Sequence, residues 1–153
     1  MSAAIRPATA DDCVRIAAIA HAAYIDYVPR IGRPPAPMLA DFAAEIAARR
    51  VVVVESAGAV AGYMVAWAEP DAYYIDNVAV EPARQGQRLG RALIAHAAAT
   101  ARLLGLPAIR LYTNVAMTEN LALYTHLGFV ETHRASEDGF DRVHLRCDLD
   151  GAL

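Results

Sequence analysis

The sequence contains few cysteines and no long apolar run. Cys13 and Cys147 are its only cysteines, and each falls in a pattern of apolar residues, so we interpret both as small core residues rather than disulfide partners. No apolar stretch approaches the roughly 18 residues of a membrane-spanning helix. The N-terminus also lacks the basic-then-apolar layout of a secretory signal. These absences predict a cytoplasmic protein with no membrane partner.

Charge is also scarce, and it is not concentrated in one sign. Charged residues make up 20% of the chain and the formal net charge is −3. Nucleic-acid binding needs a concentrated basic face, so we predict no nucleic-acid partner. The five histidines are scattered without the spacing of metal ligands, so we predict no metal. With 153 residues, 56% of them hydrophobic, we predict one globular domain over 1–153.

Hydrophobic periodicity and turn residues divide the chain into strands and helices. The predicted strands cover 5–8, 51–55, 60–68, 73–80, 109–113, 129–133 and 142–149. The predicted helices cover 10–28, 38–49, 88–104 and 118–127. The resulting order, β-α-α-β-β-β-α-β-α-β-β, mixes strands and helices without strict alternation. We therefore predict an α/β (α+β) protein with a mixed sheet and helices packed on it.

Three local signals refine the helix boundaries. Thr9 is a good N-cap for the first helix, and Asp12 stands three residues later, in capping-box position. Four prolines and a glycine within 29–37 predict a stiff loop without regular structure. Thr118 is the expected N-cap of the last helix.

A strand, a glycine-containing loop and a helix follow one another between residues 73 and 104. The first N–H groups of a helix lack internal partners, and the helix dipole favours an anion there. Gly86 and Gly90 permit a close approach, and Arg84, Arg88 and Arg91 add charge that can meet phosphates. The alternative is an ordinary loop with solvated arginines. Neither a Walker loop nor a dinucleotide fingerprint is present.

Two segments carry a family resemblance. Asp76-Asn77-Val78-Ala79-Val80, followed by Gln85-Gly86-Gln87-Arg88-Leu89-Gly90, resembles motif A of the GNAT acetyltransferases, Gln/Arg-x-x-Gly-x-Gly/Ala. Arg88 stands where the middle glycine of that motif is usual. The segment 120–129 resembles the helix-four signature that ends in Leu-Tyr-x-x-Leu-Gly-Phe. Met117 replaces the asparagine usual in that helix, and Asn120, one turn before Tyr124, is the residue that can take its place.

The resemblance implies the GNAT acyl-CoA N-acyltransferase fold, with acetyl-CoA as co-substrate and direct attack of an amine on the thioester. The backbone of Val78, Ala79 and Val80 is then expected to pair with the pantetheine arm. Tyr124 matches the general acid of the family. The residues expected to hold the rest of the cofactor are Gln85, Gly86, Gln87, Arg88, Leu89, Gly90, Arg91 and Asn120.

The general base and the acceptor site are less closely defined. Asp76 lies on the same strand face as Tyr74, and it either takes the amine proton or bonds to a neighbouring loop. Tyr24, Arg30 and Arg33, in or beside the proline-rich loop, suit an acceptor that carries a carboxylate or phosphate. Asn114 either orients the acceptor or caps the next helix. The acidic segment 137–141 either touches a cationic acceptor or is solvated.

Three functional classes follow. The favoured one is an acetyltransferase for a small-molecule amine. The second acetylates protein N-termini or lysine side chains, so that its acceptor is a peptide, and the third binds acyl-CoA without catalysis. Tyr124 favours the first two. A homodimer stays open, because many relatives pair through sheet edges or helices.

Overall fold

The computed structural model describes residues 4–149. Within them lie seven strands and five α-helices, joined in places by single 3-10 turns. The strands are β1 (Ala4–Pro7), β2 (Val51–Ser56), β3 (Ala59–Ala68), β4 (Tyr73–Val80), β5 (Ala108–Asn114), β6 (Val130–Glu137) and β7 (Phe140–Asp148). The helices are α1 (Cys13–Tyr24), α2 (Val28–Ile31), α3 (Phe42–Ala47), α4 (Leu89–Leu103) and α5 (Thr118–His126). None of these helices is long and apolar enough to cross a membrane.

The strands are hydrogen-bonded in the order β1-β2-β3-β4-β5-β7-β6. Antiparallel pairing joins β1 to β2, β2 to β3, β5 to β7 and β6 to β7. The pairing of β4 with β5 is parallel and runs from Tyr73 opposite Ile109 to Ile75 opposite Leu111. The predicted α/β class with a mixed sheet is therefore confirmed.

The chain is divided into two compact units. The first comprises 4–66 and 77–94, and the second comprises 67–76 and 95–149. The prediction of one domain over 1–153 stays a prediction, and its ends, 1–3 and 150–153, lie outside the described residues.

The core of the first unit follows from the apolar stripe of α1 and the β-branched run of β2. Ile16, Ile19 and Val53 are at most 1% exposed. Phe42 of α3 packs edge-on against Tyr63 of β3, with ring centroids 5.2 Å apart. Such an aromatic pair contributes about 1 kcal/mol beyond the area that it buries.

The core of the second unit follows from strict alternation along β5 and β7. Ile109 and Leu111 alternate with half-buried polar residues, and so do Val143 and Leu145. Phe129, which follows α5, is 2% exposed. The sheet of this unit thus has one apolar face and one polar face.

The segment 29–37 differs from its prediction. Val28–Ile31 forms a helical turn and Ala36–Leu39 forms a 3-10 turn, whereas the sequence predicted no regular structure. The reason is that proline is accepted in the first turn of a helix, where its missing N–H would have no partner. Pro29 and Pro37 occupy such positions. Helix α3 is accordingly shorter than the predicted 38–49 helix.

The N-cap prediction for α5 was wrong by one residue. Met117 is the N-cap, and Thr118 is the first helical residue. Asn114 at the end of β5 explains the shift, because its Oδ1 accepts the Ala116 N–H at 2.9 Å and closes a turn just before the helix.

Asp12, at the N-terminus of α1, links the turn that begins at Thr9 to strand β1. Its carboxylate accepts the Thr9 N–H at 2.8 Å, as the capping-box prediction required. Arg6 of β1 donates to both of its oxygens, at 2.8 and 3.0 Å. The side-chain hydrogen bonds from Arg6 are the main reason that the pKa of Asp12 falls from 3.8 to about 2.

Replacing Asp12 by Asn should therefore destabilise the protein in a pH-dependent way. The carboxylate has a lower pKa in the folded state, so its stabilisation is complete well above pH 3.8 and is lost as the pH falls towards 2. We expect a loss of about 1 to 2 kcal/mol at pH 7, since the partly exposed Arg6 is screened by solvent. Urea unfolding at pH 7 and pH 3 measures it. Asp11→Asn, exposed in the same turn, is the control, and an equal loss at both pH values would contradict the assignment.

Candidate active site

The C-terminal half of β4 is held from two directions within the first unit. At Gly62 of β3, an added Cβ would lie 2.9 Å from the Ala79 carbonyl oxygen, so only glycine fits there without displacing β4. From α1, the Tyr24 hydroxyl donates to the Val78 carbonyl at 3.1 Å. Val78, Ala79 and Val80, the residues predicted to pair with pantetheine, therefore form a firmly positioned strand segment.

The loop that follows β4 turns sharply before α4. After the 3-10 turn Pro82–Arg84, residues 85–88 are exposed, and α4 begins at Leu89. Gly86 has φ +91° and Arg88 has φ +62°, both in the left-handed region. Left-handed backbone costs a non-glycine residue about 1 to 2 kcal/mol. Arg88 therefore adopts a backbone conformation that glycine, the residue usual at this position of the motif, adopts without that cost.

Gly90 was predicted, with Gly86, to permit the close approach of backbone or ligand. A Cβ at Gly90 would meet only Val80 Cγ2, at 3.8 Å, which is an ordinary contact. Leu89 is buried and anchors the first turn of α4. The space beside Gly90 is therefore free of protein atoms and can admit a ligand.

The three arginines near this loop are not equivalent. Arg84 donates to the Ser56 carbonyl at 3.2 Å, so its guanidinium is used within the first unit. Gln87 accepts a hydrogen bond from the Ser56 hydroxyl at 3.1 Å. Arg88 and Arg91 are exposed, and neither side chain bonds to another residue within 4–149. Only these two arginines combine position and availability for a phosphate.

Tyr124 is buried in the second unit, on α5. It is 7% exposed, and its ring packs edge-on against Phe129, with centroids 5.6 Å apart. Its hydroxyl has no hydrogen-bond partner in the described part of the chain. Burial raises the pKa of Tyr124 from 10.0 to about 12. The phenol therefore stays protonated at neutral pH, as a proton donor must. Asn120 is half-buried one turn earlier on the same helix.

Asp76 lies on β4 in the second unit, at the edge of an aromatic cluster. Tyr74 donates its hydroxyl hydrogen to Asp76 Oδ1 at 3.3 Å. Burial, with smaller contributions from Tyr112 and Asp76, raises the pKa of Tyr74 above its ordinary value. The Tyr74 ring stacks on Tyr112 at 6.4 Å and packs edge-on against Trp67 at 5.0 Å. Asp76 therefore has a neutral hydrogen-bond donor beside it and remains a candidate base.

The residues predicted to bind the acceptor differ in their exposure and contacts. Arg30 and Arg33 are exposed, and the Arg30 guanidinium stands 5.1 Å from the Tyr27 ring centre. Tyr24 contacts β4 through its hydroxyl, as described above. Asn114 uses its Oδ1 for the turn before α5 and is not the N-cap of that helix; its predicted role in orienting the acceptor stays a prediction.

Sequence reasoning missed the polar face of the second unit and the role of Gly62. A glycine inside a strand was the available signal for close packing. The alternation of charged and aromatic residues along β5 and β7 was the signal for the polar face, on which Arg142 is 8% exposed. No group of three or more potential ligand side chains within 4–149 is arranged to hold a metal ion.

Comparison with known proteins agrees with this geometry. The model of the Acetyltransferase (GNAT) family matches residues 16–129, more than half of the chain. None of the curated proteins compared with the chain is significantly similar to it in sequence. The fold, the strand–loop–helix element and the matched family model define an N-acetyltransferase. The chain belongs to the GNAT acetyltransferase family.

Solved structures share the fold over nearly the whole chain. The Escherichia coli ribosomal-protein-S18-alanine N-acetyltransferase is 22% identical, with a TM-score of 0.75, over 97% of this chain and 94% of that chain. PaiA N-acetyltransferase of Thermoplasma acidophilum, solved in complex with coenzyme A, is 15% identical, with a TM-score of 0.80, over 97% and 99%. The IAA acetyltransferase of Bacillus cereus is 23% identical, with a TM-score of 0.68, over 97% and 100%.

Arg88→Gly should separate backbone strain from side-chain charge. Glycine adopts φ +62° at no steric cost, so we expect the folded state to gain about 1 kcal/mol relative to Arg88→Ala, which keeps the strain. If backbone N–H groups bind the donor, both variants should weaken acetyl-CoA binding equally, by less than about tenfold. Thermal unfolding and calorimetric titration measure the two effects. Equal stability of the two variants would exclude the strain.

Tyr24→Phe should distinguish a role at β4 from a role in binding the acceptor. Loss of the bond to Val78 costs about 1 kcal/mol, so we expect the acetyl-CoA dissociation constant to rise about fivefold. Calorimetry on the enzyme without acceptor measures this directly. An unchanged dissociation constant with a raised acceptor KM would instead place the hydroxyl on the acceptor. Tyr27→Phe, on the same segment, is the control.

Proposed function

We propose that this protein transfers the acetyl group of acetyl-CoA to a primary amine of a small molecule by direct attack of the amine on the thioester. The observation that carries the proposal is the exposed loop 85–88 before α4, with its left-handed Gly86 and Arg88. Such a loop directs backbone N–H groups at an anion. The family match makes the CoA pyrophosphate that anion.

The first unit supplies the binding of the donor in this proposal. Residues 85–91 offer N–H groups, the positive end of the α4 dipole and the exposed guanidinium groups of Arg88 and Arg91. The segment Val78 to Val80 offers main-chain hydrogen bonds to the pantetheine arm. Gly62 and Tyr24 keep that segment in place. Binding thus relies mainly on backbone atoms, which explains why Arg88 is tolerated at a glycine position.

The second unit supplies the proton donor. An alkanethiol resembling cysteine has a pKa near 8.5, well below the value of about 12 for Tyr124. Complete proton transfer from the ground-state phenol is therefore uphill. The phenol instead donates a hydrogen bond to sulfur as negative charge develops there. This interaction strengthens only along the reaction, so it accelerates transfer without tightening donor binding.

The acceptor amine must lose a proton, and Asp76 is the proposed base. A free alkyl amine has a pKa near 10 and is mostly protonated at neutral pH. The Asp76 carboxylate, hydrogen-bonded by Tyr74, can take the proton directly or through water. Asn120 is proposed to contact the cofactor from α5. Arg30 and Arg33 stay predicted contacts of the acceptor.

A protein acceptor is the second candidate. It is favoured by the fold shared with the Escherichia coli ribosomal-protein-S18-alanine N-acetyltransferase, an enzyme named for a protein acceptor. A non-catalytic acyl-CoA-binding module is disfavoured by Tyr124, whose buried phenol serves no described hydrogen bond. The expectations of a cytoplasmic location, of no nucleic-acid partner and of a possible homodimer stay predictions.

Tyr124→Phe tests the catalytic role. We expect kcat to fall by about a hundredfold or more, because general-acid catalysis contributes 10²- to 10⁴-fold. The acetyl-CoA dissociation constant should change little. Stopped assays of CoA release and calorimetry give the two readouts, with Tyr73→Phe as the control. Unchanged turnover would eliminate Tyr124 as the proton donor.

The function itself is tested by acetyl transfer to a panel of amines, amino acids and peptides. Release of CoA with a small amine supports the proposal, and release only with peptides supports the second candidate. Acetyl-CoA binding without transfer to any acceptor would leave the non-catalytic module. Absence of acetyl-CoA binding would overturn all three.

A further inference from the structure

The two faces of the sheet in the second unit are chemically opposite. The apolar face, which includes Leu111, Val143 and Leu145, is almost completely buried. The register places Arg110 opposite Arg146, Tyr112 opposite His144 and Asn114 opposite Arg142. These six residues share the other face because side chains alternate along a strand. A half-buried sheet face built from arginine, tyrosine, histidine and asparagine is costly to maintain for packing alone.

Two of the three arginines on this polar face are paired with nearby carboxylates. Arg110 donates to both oxygens of Glu69, at 2.6 and 2.8 Å. Arg146 donates through Nε to Asp148 at 3.0 Å. These distances are those of charge-assisted hydrogen bonds. Both guanidinium groups are therefore largely occupied within the protein.

Arg142 is the most buried of the three and the least well paired. Its side chain is 10% exposed, against 32% and 33% for those of Arg110 and Arg146. Its nearest carboxylate oxygens, on Asp138 and Glu137, lie 3.5 and 3.7 Å from Nη1. Nε and Nη2 donate to no residue within 4–149. A nearly buried guanidinium whose contacts to carboxylates are this long keeps donor capacity that a ligand can use.

Stacking fixes the orientation of the Arg142 guanidinium. Its central carbon lies 4.3 Å from the centre of the Tyr112 ring and 5.4 Å from that of Phe140. A guanidinium held by ring contacts keeps its in-plane N–H edge available. That edge matches the two oxygens of a carboxylate.

We propose that Arg142 binds the carboxylate of the acceptor, so that the acceptor is a small primary amine that also carries a carboxylate, as an amino acid does. This inference rests on the proposed function and names its substrate class. Arg142 is then the residue that determines acceptor specificity, ahead of Arg30 and Arg33 in the proline-rich segment.

The acidic neighbours of Arg142 favour this class of acceptor over a phosphate. Glu137 accepts or shares a hydrogen bond with His144 Nε2 at 2.9 Å, so that carboxylate is partly engaged elsewhere. The Asp138 side chain is 85% exposed, and its Oδ2 lies 3.5 Å from Arg142 Nη1. Two carboxylates beside the site repel a dianion more strongly than a monoanion. This mixture of charges favours a zwitterionic amino acid, which carries a positive amine and a single negative charge.

The test compares each amino acid with its own carboxamide as acceptor, for the wild type and for Arg142→Gln. The carboxamide keeps the amine and the shape but lacks the charge. We expect the wild type to prefer the acid at least about tenfold in kcat/KM, because a hydrogen bond to a charged group is worth 1.5 to 3 kcal/mol. Arg142→Gln should lose about ten- to a hundredfold with the acid and less than about threefold with the carboxamide. Arg146→Gln is the matched control and should keep the preference.

Arg142→Lys covers the case in which Arg142→Gln does not fold. It retains the charge but loses the two-pronged N–H edge, so its preference for the acid should also fall. Equal losses with acid and carboxamide would show a purely structural role and overturn the proposal. So would a wild type that acetylates amines or peptides without preferring a free carboxylate, which would leave the proposed function intact. A failure of calorimetry to detect acetyl-CoA binding would overturn both.

Discussion

The position of the C-terminal half of β4 is the constraint on which the donor site depends. In the proposed function its main chain offers hydrogen bonds to the pantetheine arm, and the direction of main-chain atoms is set by the position of the strand. Gly62 permits the neighbouring strand to approach the Ala79 carbonyl more closely than any other residue would. Tyr24 holds the adjoining Val78 carbonyl from α1. These two constraints act on the carbonyls of consecutive residues, so they position two adjoining peptide units of β4 within the first unit.

The loop after β4 follows the same logic in the proposed donor site, because there too the binding groups would be backbone atoms rather than side chains. A left-handed residue at position 88 is needed for the chain to turn into α4, whatever side chain stands there. An arginine at this position has the steric cost of left-handed backbone but contributes a positive charge. A glycine has no such cost and contributes no charge. The motif therefore constrains the shape of the backbone more strongly than the identity of the residue.

Much of the fold was predictable from the sequence, because its signals are local. The bounds of β4 agree with the predicted strand 73–80, and α4 (Leu89–Leu103) agrees with the predicted helix 88–104 to within one residue at each end. The helical turns within 29–37 were missed, since proline excludes a helix interior but not a first turn. The partners of Tyr24, Asn114 and Arg142 were not predictable for a different reason. They depend on which strands become neighbours, and alternation within one strand carries no information about its neighbours.

The arginines of the second unit show why that missing information matters for function. In sequence, Arg110, Arg142 and Arg146 are alike: each alternates with apolar residues along a strand. In the structure, their shortest carboxylate distances are 2.6 Å, 3.5 Å and 3.0 Å, and the proposal gives them different roles on that ground. A guanidinium that is closely paired with a carboxylate has its donors occupied and its charge neutralised, so it is not available to bind a ligand. A loosely paired guanidinium, nearly buried between aromatic rings, retains both its charge and its directed donors. The difference between a structural arginine and a recognition arginine therefore lies in the distance to its partners, which only the folded chain determines.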